Sequence, residues 1–418
     1  MDIHFADAYQ KHATRGFQLM AKPSGPFCNI DCTYCYYLEK EKLYRSSKKF
    51  RMSDKVLESF IRQYVNSQEL PVVNFVWQGG EPSLAGLDFF KKAVYYQRKY
   101  AGNKKIANSF QTNGTLLNEE WCKFFARNNF LVGISIDGTE NIHNKFRKYQ
   151  SGKSSFSEVM KGIDLLTTYE IPFNTLTVVN HYSSHYPLEI YGFLKSIGST
   201  FMQFLPAVEQ EAETNSADFL ELVSPEYQGN SNVTDWSVEQ GHYGNFLVSI
   251  FDEWIKNDVG DYFVQIFDTT LANWVGDDPG LCVFQKTCGE AGVIEHNGDV
   301  YSCDHFVYPE NYLGNIFDSK LESMMKSKLQ NQFGLNKYYQ LPQKCLSCNF
   351  LFACRGGCPK NRIIQTDEYG KRLNYLCRDY HKFFSHVTPY MNFMKNELTK
   401  ERPPANVMKW ARKNQAII

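Results

Sequence analysis

The strongest constraint on the fold is a regular alternation of short apolar runs and amphipathic stretches between about residues 17 and 210. The stretches between the runs have helical periodicity, and one of them, SDKVLESFIRQYVNS, starts at Ser53, the expected N-cap. Six runs have strand composition: FQLMAK, VVNFVWQGG, SFQTNG, FLVGISIDG, FNTLTVV and FMQFLPAV. Six strand and helix repeats predict an α/β fold with a parallel sheet, either open and doubly wound or curved into a partial barrel.

Polar segments follow four of these predicted strands directly. The first strand precedes a cysteine loop, and the next three precede QGGEP, QTNG and SIDG. In both kinds of parallel sheet, the carboxyl ends of the strands hold the functional site. The sequence therefore predicts that these four segments meet at one edge of the sheet.

The cysteine loop, CNIDCTYC, contains Cys28, Cys32 and Cys35. The N-terminal stretch MDIHFADAYQKHATRG lacks the apolar core of a signal peptide, so reduced thiols and metal ligation are expected rather than disulfides. A closed zinc site or an ordinary four-iron cluster takes four protein ligands, so three thiolates predict a metal centre with one open position. A zinc loop with a distant fourth ligand and a chance cluster are the alternatives.

Eight further cysteines lie in the C-terminal third, while Cys122 lies alone in a helical pattern and is predicted to be a small buried residue. Eight thiolates can ligate two four-iron clusters, and in two-cluster ferredoxins the last cysteine of a Cys-x3-Cys-Pro run serves the other cluster. This rule predicts two crossed sets: Cys282, Cys288, Cys303 and Cys358, and Cys345, Cys348, Cys354 and Cys377. Structural zinc sites have similar cysteine spacings, so zinc remains an alternative at this point.

Four regions follow from these patterns. Residues 1–240 hold the repeats and end in an acidic, turn-rich segment, 209–241, expected to be a solvated surface loop, with a wall of a substrate entrance as the alternative. A linking helix is expected in 241–280. A cysteine-rich region, 281–385, contains a hairpin signal with Asn297-Gly298 at the turn. Residues 386–418 are predicted to be a helix with a basic tail.

Composition excludes several classes of protein. Lys+Arg and Asp+Glu both count 45, and no long basic tract is present, which predicts no nucleic-acid partner. No apolar run approaches the ~18 residues that span a bilayer, so no membrane association is expected. The chain is therefore predicted to be cytoplasmic.

The first cysteine motif resembles that of the radical S-adenosylmethionine superfamily, whose fold is a partial (β/α)6 barrel. The resemblance implies that Cys28, Cys32 and Cys35 hold a [4Fe-4S] cluster whose open iron binds the amino and carboxylate groups of S-adenosylmethionine. The corresponding cofactor contacts are Tyr34, Gly79, Gly80, Glu81, Ser135, Arg147 and Val208. Taken alone, the two glycines suit an ordinary turn and Arg147 suits a solvated basic face.

The second set resembles the SPASM domain, a two-cluster extension, which favours iron over zinc. The family most similar is the anaerobic sulfatase-maturating enzymes, on the segments MAKPSG, QGGEP, SFQTNG, HNGDVYSCD and LNYLC. The resemblance implies three [4Fe-4S] clusters and S-adenosylmethionine as cofactors, and oxidation of a cysteine or serine of a sulfatase to Cα-formylglycine. It also implies two partners: an unfolded sulfatase or sulfatase-derived peptide, and a one-electron donor such as flavodoxin or ferredoxin.

The implied reaction removes a hydrogen atom, a proton and an electron from the substrate side chain. Asp304 matches the family's general base, with His305 as the alternative and a turn-capping aspartate as the purely structural explanation. Two other functions remain open: a relative that forms thioether or carbon-carbon crosslinks in a precursor peptide, and an electron carrier or zinc-structured binding module. The residues leave the choice between cysteine and serine substrates open.

Overall fold

The computed structural model describes residues 16–44, 50–213, 222–227 and 229–413. The prediction that the chain lacks a signal peptide was based on residues 1–16, and of these only Gly16 is described. The end of the predicted basic tail, residues 414–418, also lies outside the described residues. Within them, no helix is both long and apolar enough to cross a membrane.

The main sheet has ten strands, and all six strands predicted from the repeats belong to it. In spatial order the strands are β7-β6-β5-β4-β3-β2-β1-β8-β9-β10. Their bounds are β1 Gln18–Ala21, β2 Val72–Trp77, β3 Lys105–Thr112, β4 Phe130–Ser135, β5 Phe173–Val179, β6 Phe201–Pro206, β7 Phe263–Val264, β8 Ala291–Ile294, β9 Asp299–Tyr301 and β10 Tyr312–Asn315. Neighbours from β7 to β8 pair in parallel, whereas β8, β9 and β10 pair antiparallel. The described ends of the sheet do not pair with each other, so the barrel is partial.

Helices cover the sheet between successive strands. The α-helices are α1 Asp54–Ser67, α2 Leu87–Tyr100, α3 Glu119–Asn128, α4 Glu140–Phe146, α5 Phe156–Thr168, α6 Pro187–Ser196, α7 His242–Asn257, α8 Gln265–Val275, α9 Leu321–Met325, α10 Lys328–Tyr339, α11 Gln343–Leu346, α12 Leu351–Cys354, α13 Cys377–Thr399 and α14 Val407–Lys413. Ser53 caps α1 as predicted, because its Oγ accepts a hydrogen bond from Val56 N at 3.3 Å. The buried face of α1 places the Phe60 ring edge-on to the rings of Phe75 and Trp77 in β2.

The predicted hairpin of the cysteine-rich region is present, but it does not form a separate sheet. Its first strand, β8, pairs in parallel with β1, so the hairpin extends the barrel sheet beside the strand that precedes the cysteine loop. The carboxyl end of β8 therefore reaches the same edge as the carboxyl ends of β1 to β6. This edge is where the site is expected.

Two regions differ from the sequence predictions. Residues 241–280 contain two helices, α7 and α8, and the short strand β7 instead of one linking helix. The expectation of a plain solvated loop at 209–241 is wrong for its C-terminal part. Val238 is fully buried and Trp236 packs against the cluster of buried residues that contains Tyr34. The acidic composition of the segment predicted exposure, but composition does not reveal that Trp236 and Val238 pack against the rest of the protein.

Candidate active site and cluster sites

The three cysteines of the first motif lie in the loop after β1, where Cys28 and Cys35 pack against the buried cluster that contains Cys32 and Tyr34. Cys32 forms a short strand with Asp31 that pairs with Arg147 and Lys148. Burial, assisted by the charge of Glu81, raises the pKa of the Cys28 thiol to about 12. Metal ligation therefore has to displace protons from thiols that are neutral without it.

The turn after β2 packs directly against this loop. A Cβ added to Gly80 would lie 2.1 Å from the Phe27 carbonyl oxygen, so a side chain at this position cannot be accommodated. Glu81 is fully buried, and its carboxylate accepts hydrogen bonds from Ser83 N, Thr112 Oγ1 and Asn113 N at 2.7–2.9 Å. The glycine and the glutamate thus hold the ends of β2 and β3 against the cysteine loop. Gly79 precedes them in the same turn.

Two of the other predicted cofactor contacts meet in a buried network. Arg147 Nη1 donates to Tyr34 Oη at 2.9 Å, and that hydroxyl donates to Asp137 Oδ2 at 2.5 Å. Ser135, at the end of β4, accepts from Gln111 Nε2 at 3.0 Å. Asp137 was not predicted as a site residue, although the segment SIDG that contains it was placed at this edge.

Val208 follows β6 and is linked instead to the cysteine-rich region. Its carbonyl oxygen accepts a hydrogen bond from Lys360 Nζ at 2.5 Å, and the same ammonium forms an ion pair with Glu209. All three residues are largely buried. Lys360 comes two residues after Cys358, so this contact joins the end of β6 to a predicted cluster ligand.

Asp304 lies where three segments meet. Its carboxylate pairs with Lys22 Nζ at 2.5 Å and accepts a hydrogen bond from the Tyr36 hydroxyl. Burial alone would raise the pKa of Asp304, but the positive charge of Lys22 and the hydrogen bonds from Lys22 and Tyr36 hold that pKa below its ordinary value. The carboxylate is therefore deprotonated at neutral pH, which is the form that a general base needs.

His305 is adjacent in sequence and space. Its ring packs against the Tyr36 ring in a tilted arrangement, with centroids 4.9 Å apart and an interplanar angle of 42°. Burial lowers the pKa of His305 to about 4, so the imidazole is neutral at pH 7. Lys22 and Tyr36 were both missed by sequence reasoning. Their positions, directly after β1 and directly after Cys35, were the available signals.

The eight C-terminal cysteines lie in one part of the structure, and their division into the two crossed sets stays a prediction. Cys358 interacts electrostatically with Cys282, Cys288 and Cys303. In the other set, Cys354 interacts with Cys345, Cys348 and Cys377. Cys122 lies apart from both and is fully buried in α3.

Each set borders a cavity. A cavity of about 270 Å³ is lined by Cys282, Cys288 and Cys303, and one of about 300 Å³ by all four cysteines of the other set. Within the described residues, no three or more histidine, cysteine, aspartate or glutamate side chains form a group that could hold a single metal ion.

Comparison with known proteins agrees with this geometry. The radical SAM superfamily model matches residues 23–194, and the SPASM iron-sulfur cluster-binding domain matches residues 285–349. A serine-type anaerobic sulfatase-maturating enzyme of Bacteroides thetaiotaomicron is 51% identical over 391 residues, 94% of each chain. The chain belongs to the anaerobic sulfatase-maturating enzymes. The predicted superfamily and SPASM extension are thereby confirmed, and the two domain types imply iron-sulfur clusters and S-adenosylmethionine.

A less similar relative of this sulfatase-maturating enzyme is named for a different substrate residue. A cysteine-type anaerobic sulfatase-maturating enzyme of Clostridium perfringens is 33% identical over 383 residues, 91% of this chain and 98% of that protein. The solved structure of native anSMEcpe with bound AdoMet and Cp18Cys peptide is 32% identical, with a TM-score of 0.79, and covers 91% of this chain and 99% of that chain. This match confirms the predicted fold, a partial barrel followed by a cysteine-rich region.

A third comparison shows the fold alone. The structure of Streptococcus suis SuiB bound to S-adenosylmethionine is 14% identical, with a TM-score of 0.58, and covers 89% of this chain and 80% of that chain.

Proposed function

We propose that this enzyme oxidises a serine side chain of a sulfatase to Cα-formylglycine. The relative that is 51% identical over 94% of both chains is serine-type, whereas the cysteine-type relatives are 33% identical. Conversion of a serine CH2OH group to an aldehyde removes two electrons and two protons. The substrate is a sulfatase peptide long enough to present that serine at the carboxyl edge of the sheet.

The observation that carries this proposal is the position of Asp304. Asp304 lies in the cysteine-rich region, after the first two strands of its hairpin. Tyr36, directly after Cys35, donates a hydrogen bond to its carboxylate, and Lys22, directly after β1, forms an ion pair with it. A buried, charged carboxylate beside the cysteine loop suits a base that takes the substrate hydroxyl proton. Lys22 and Tyr36 orient this carboxylate and keep it ionised.

The residues proposed to bind the cofactors lie at the same edge of the sheet. Cys28, Cys32 and Cys35 hold the first [4Fe-4S] cluster, and S-adenosylmethionine contacts Tyr34, Gly79, Gly80, Glu81, Ser135, Arg147 and Val208. When bound, this pair supplies the hydrogen-atom abstraction that starts the oxidation. The turn in which Gly80 allows close backbone contact, and the buried Arg147 beside Tyr34, support this assignment.

The two crossed cysteine sets hold two further [4Fe-4S] clusters, which makes three in all. Their separation into two groups of four, each beside its own cavity, supports full ligation of both. Substrate oxidation releases electrons, so the enzyme exchanges electrons with a protein such as flavodoxin or ferredoxin. Crosslink formation in a precursor peptide is a weaker alternative, because the structure of SuiB bound to precursor peptide SuiA is only 14% identical and shares the fold alone.

The test of this function is an anaerobic assay on two sulfatase peptides that differ only in serine or cysteine at the modified position. We expect the serine peptide to lose two hydrogens by mass spectrometry and then to react with a hydrazine, which reports an aldehyde. A peptide with alanine at that position is the control. Loss of two hydrogens without hydrazine reactivity would indicate a crosslink, and turnover of only the cysteine peptide would make the enzyme cysteine-type.

The crossed ligation predicts a specific result for Cys358→Ala. Since Cys358 lies with Cys282, Cys288 and Cys303, its loss should disturb that cluster and spare the other. Electron paramagnetic resonance of the reduced protein should then resemble that of Cys303→Ala. A spectrum that matches Cys345→Ala instead would overturn the crossed assignment.

A further inference from the structure

Two buried cations lie among the eight cysteines of the crossed sets. Arg362 is 6% exposed and Lys337 is 1% exposed. Among the described residues, neither forms an ion pair with a carboxylate, although burial of an unpaired charge is costly. The negative charge that balances them must therefore come from the thiolates and whatever these bind.

Arg362 lies against the turn between Cys354 and Cys358, which joins a cysteine of one set to a cysteine of the other. Its guanidinium donates to two backbone carbonyls, Gly356 O at 3.3 Å and Arg355 O at 3.4 Å. Nη1 is buried and has no hydrogen-bond partner within the part of the chain described. The guanidinium is thus fixed between the two sets with one nitrogen still available to them.

The local sequence makes room for this side chain. Gly356, in the segment CRGGCPK, has a left-handed φ of +74°, and an added Cβ would lie 2.9 Å from Arg362 Nη2 and 2.3 Å from Leu341 Cδ2. Arg362 itself begins a short strand, Arg362–Gln365, that pairs with Arg372–Asn374. The strand pairing therefore holds the backbone of Arg362, and the glycine at position 356 leaves room for its guanidinium.

Lys337 lies beside the set that contains Cys282. Its ammonium donates to Cys282 O at 2.5 Å and to Val283 O at 2.9 Å, and it interacts with Cys282, Cys288 and Cys358.

We propose that Arg362 is a shared electrostatic residue that raises the reduction potentials of both auxiliary clusters, whereas Lys337 raises the potential of one. This inference rests on the two auxiliary clusters of the proposed function. Reduction adds negative charge to a cluster, and a fixed buried cation stabilises that charge more strongly than an exposed one. One residue that acts on both clusters shifts both potentials in the same direction.

The test compares Arg362→Gln and Lys337→Gln in the cluster-loaded enzyme by potentiometric titration followed by electron paramagnetic resonance. At a fixed potential, we expect Arg362→Gln to lower the reduced-to-oxidised ratio of both auxiliary clusters about tenfold, a shift of 59 mV for one electron. Lys337→Gln should shift only the cluster of Cys282, Cys288, Cys303 and Cys358. Arg362→Lys, which keeps the charge, should restore most of the loss.

Arg372→Gln is the matched control, because Arg372 lies on the paired strand and donates to Tyr227 O outside both sets. Unshifted potentials, or a shift of only one cluster in Arg362→Gln, would overturn the shared role. If Arg362→Gln fails to retain its clusters, the result for Arg362→Lys tests the proposal instead. Loss of the clusters in Arg362→Lys as well would show that the positive charge of residue 362 is not what matters, which would overturn the proposal. A wild-type enzyme without the auxiliary iron would instead refute the cluster assignment and this inference with it.

Discussion

Replacement of Cys28, Cys32 and Cys35 together by alanine is expected to lower the iron content from about twelve to about eight per chain, at four irons per cluster. Cleavage of S-adenosylmethionine should be lost entirely, because the open iron that binds it disappears. The two auxiliary sets should remain loaded, since their cysteines lie in a different part of the chain. Iron and sulfide analysis of anaerobic protein, together with an assay for 5'-deoxyadenosine, measures both effects.

Cys122→Ala is the matched control for this triple variant. Cys122 is fully buried in α3 and belongs to none of the three sets, so its replacement should leave iron content and cofactor cleavage unchanged. Stoichiometric zinc in the wild-type protein would contradict the three-cluster assignment. So would an iron content that does not change in the triple variant.

Asp304→Asn is expected to slow peptide oxidation ~10²-fold or more, because asparagine cannot accept the substrate proton. The variant keeps the shape of the side chain, and its oxygen can still accept the Tyr36 hydrogen bond. Cys303 is unchanged, so cluster assembly should survive. Cofactor cleavage precedes proton transfer, so 5'-deoxyadenosine should still form. The decisive measurement is the ratio of 5'-deoxyadenosine to formylglycine, which should rise in the variant.

Asp299→Asn provides the comparison on the same hairpin. Asp299 contacts the neutral side chains of Asn297, Tyr312 and Asn315, and its replacement should leave the ratio at the wild-type value. If Asp304→Asn leaves both the ratio and the rate unchanged, Asp304 is a turn residue. His305, neutral at pH 7 and packed against Tyr36, would then be tested as the base.

Much of the fold was predictable because its signals are local. The six barrel strands, the Ser53 cap and the hairpin at Asn297-Gly298 each depend on periodicity or turn chemistry within a few residues. Residues 241–280 were predicted less well. The two-residue strand β7 is too short to have a periodicity, and its pairing with β6 exists only in the folded sheet.

The candidate site also has features that the sequence predicts and features that depend on the tertiary structure. Sequence spacing by itself determined that Cys28, Cys32 and Cys35 share one loop, and position after successive strands determined that Glu81 and Ser135 lie at the same edge. Contacts across the whole chain were decided only by tertiary structure. Lys22 and Asp304 are 282 positions apart and meet because β8 pairs in parallel with β1. Pairing between distant strands leaves no periodic signal in either segment, so only the folded sheet brings these two charges together.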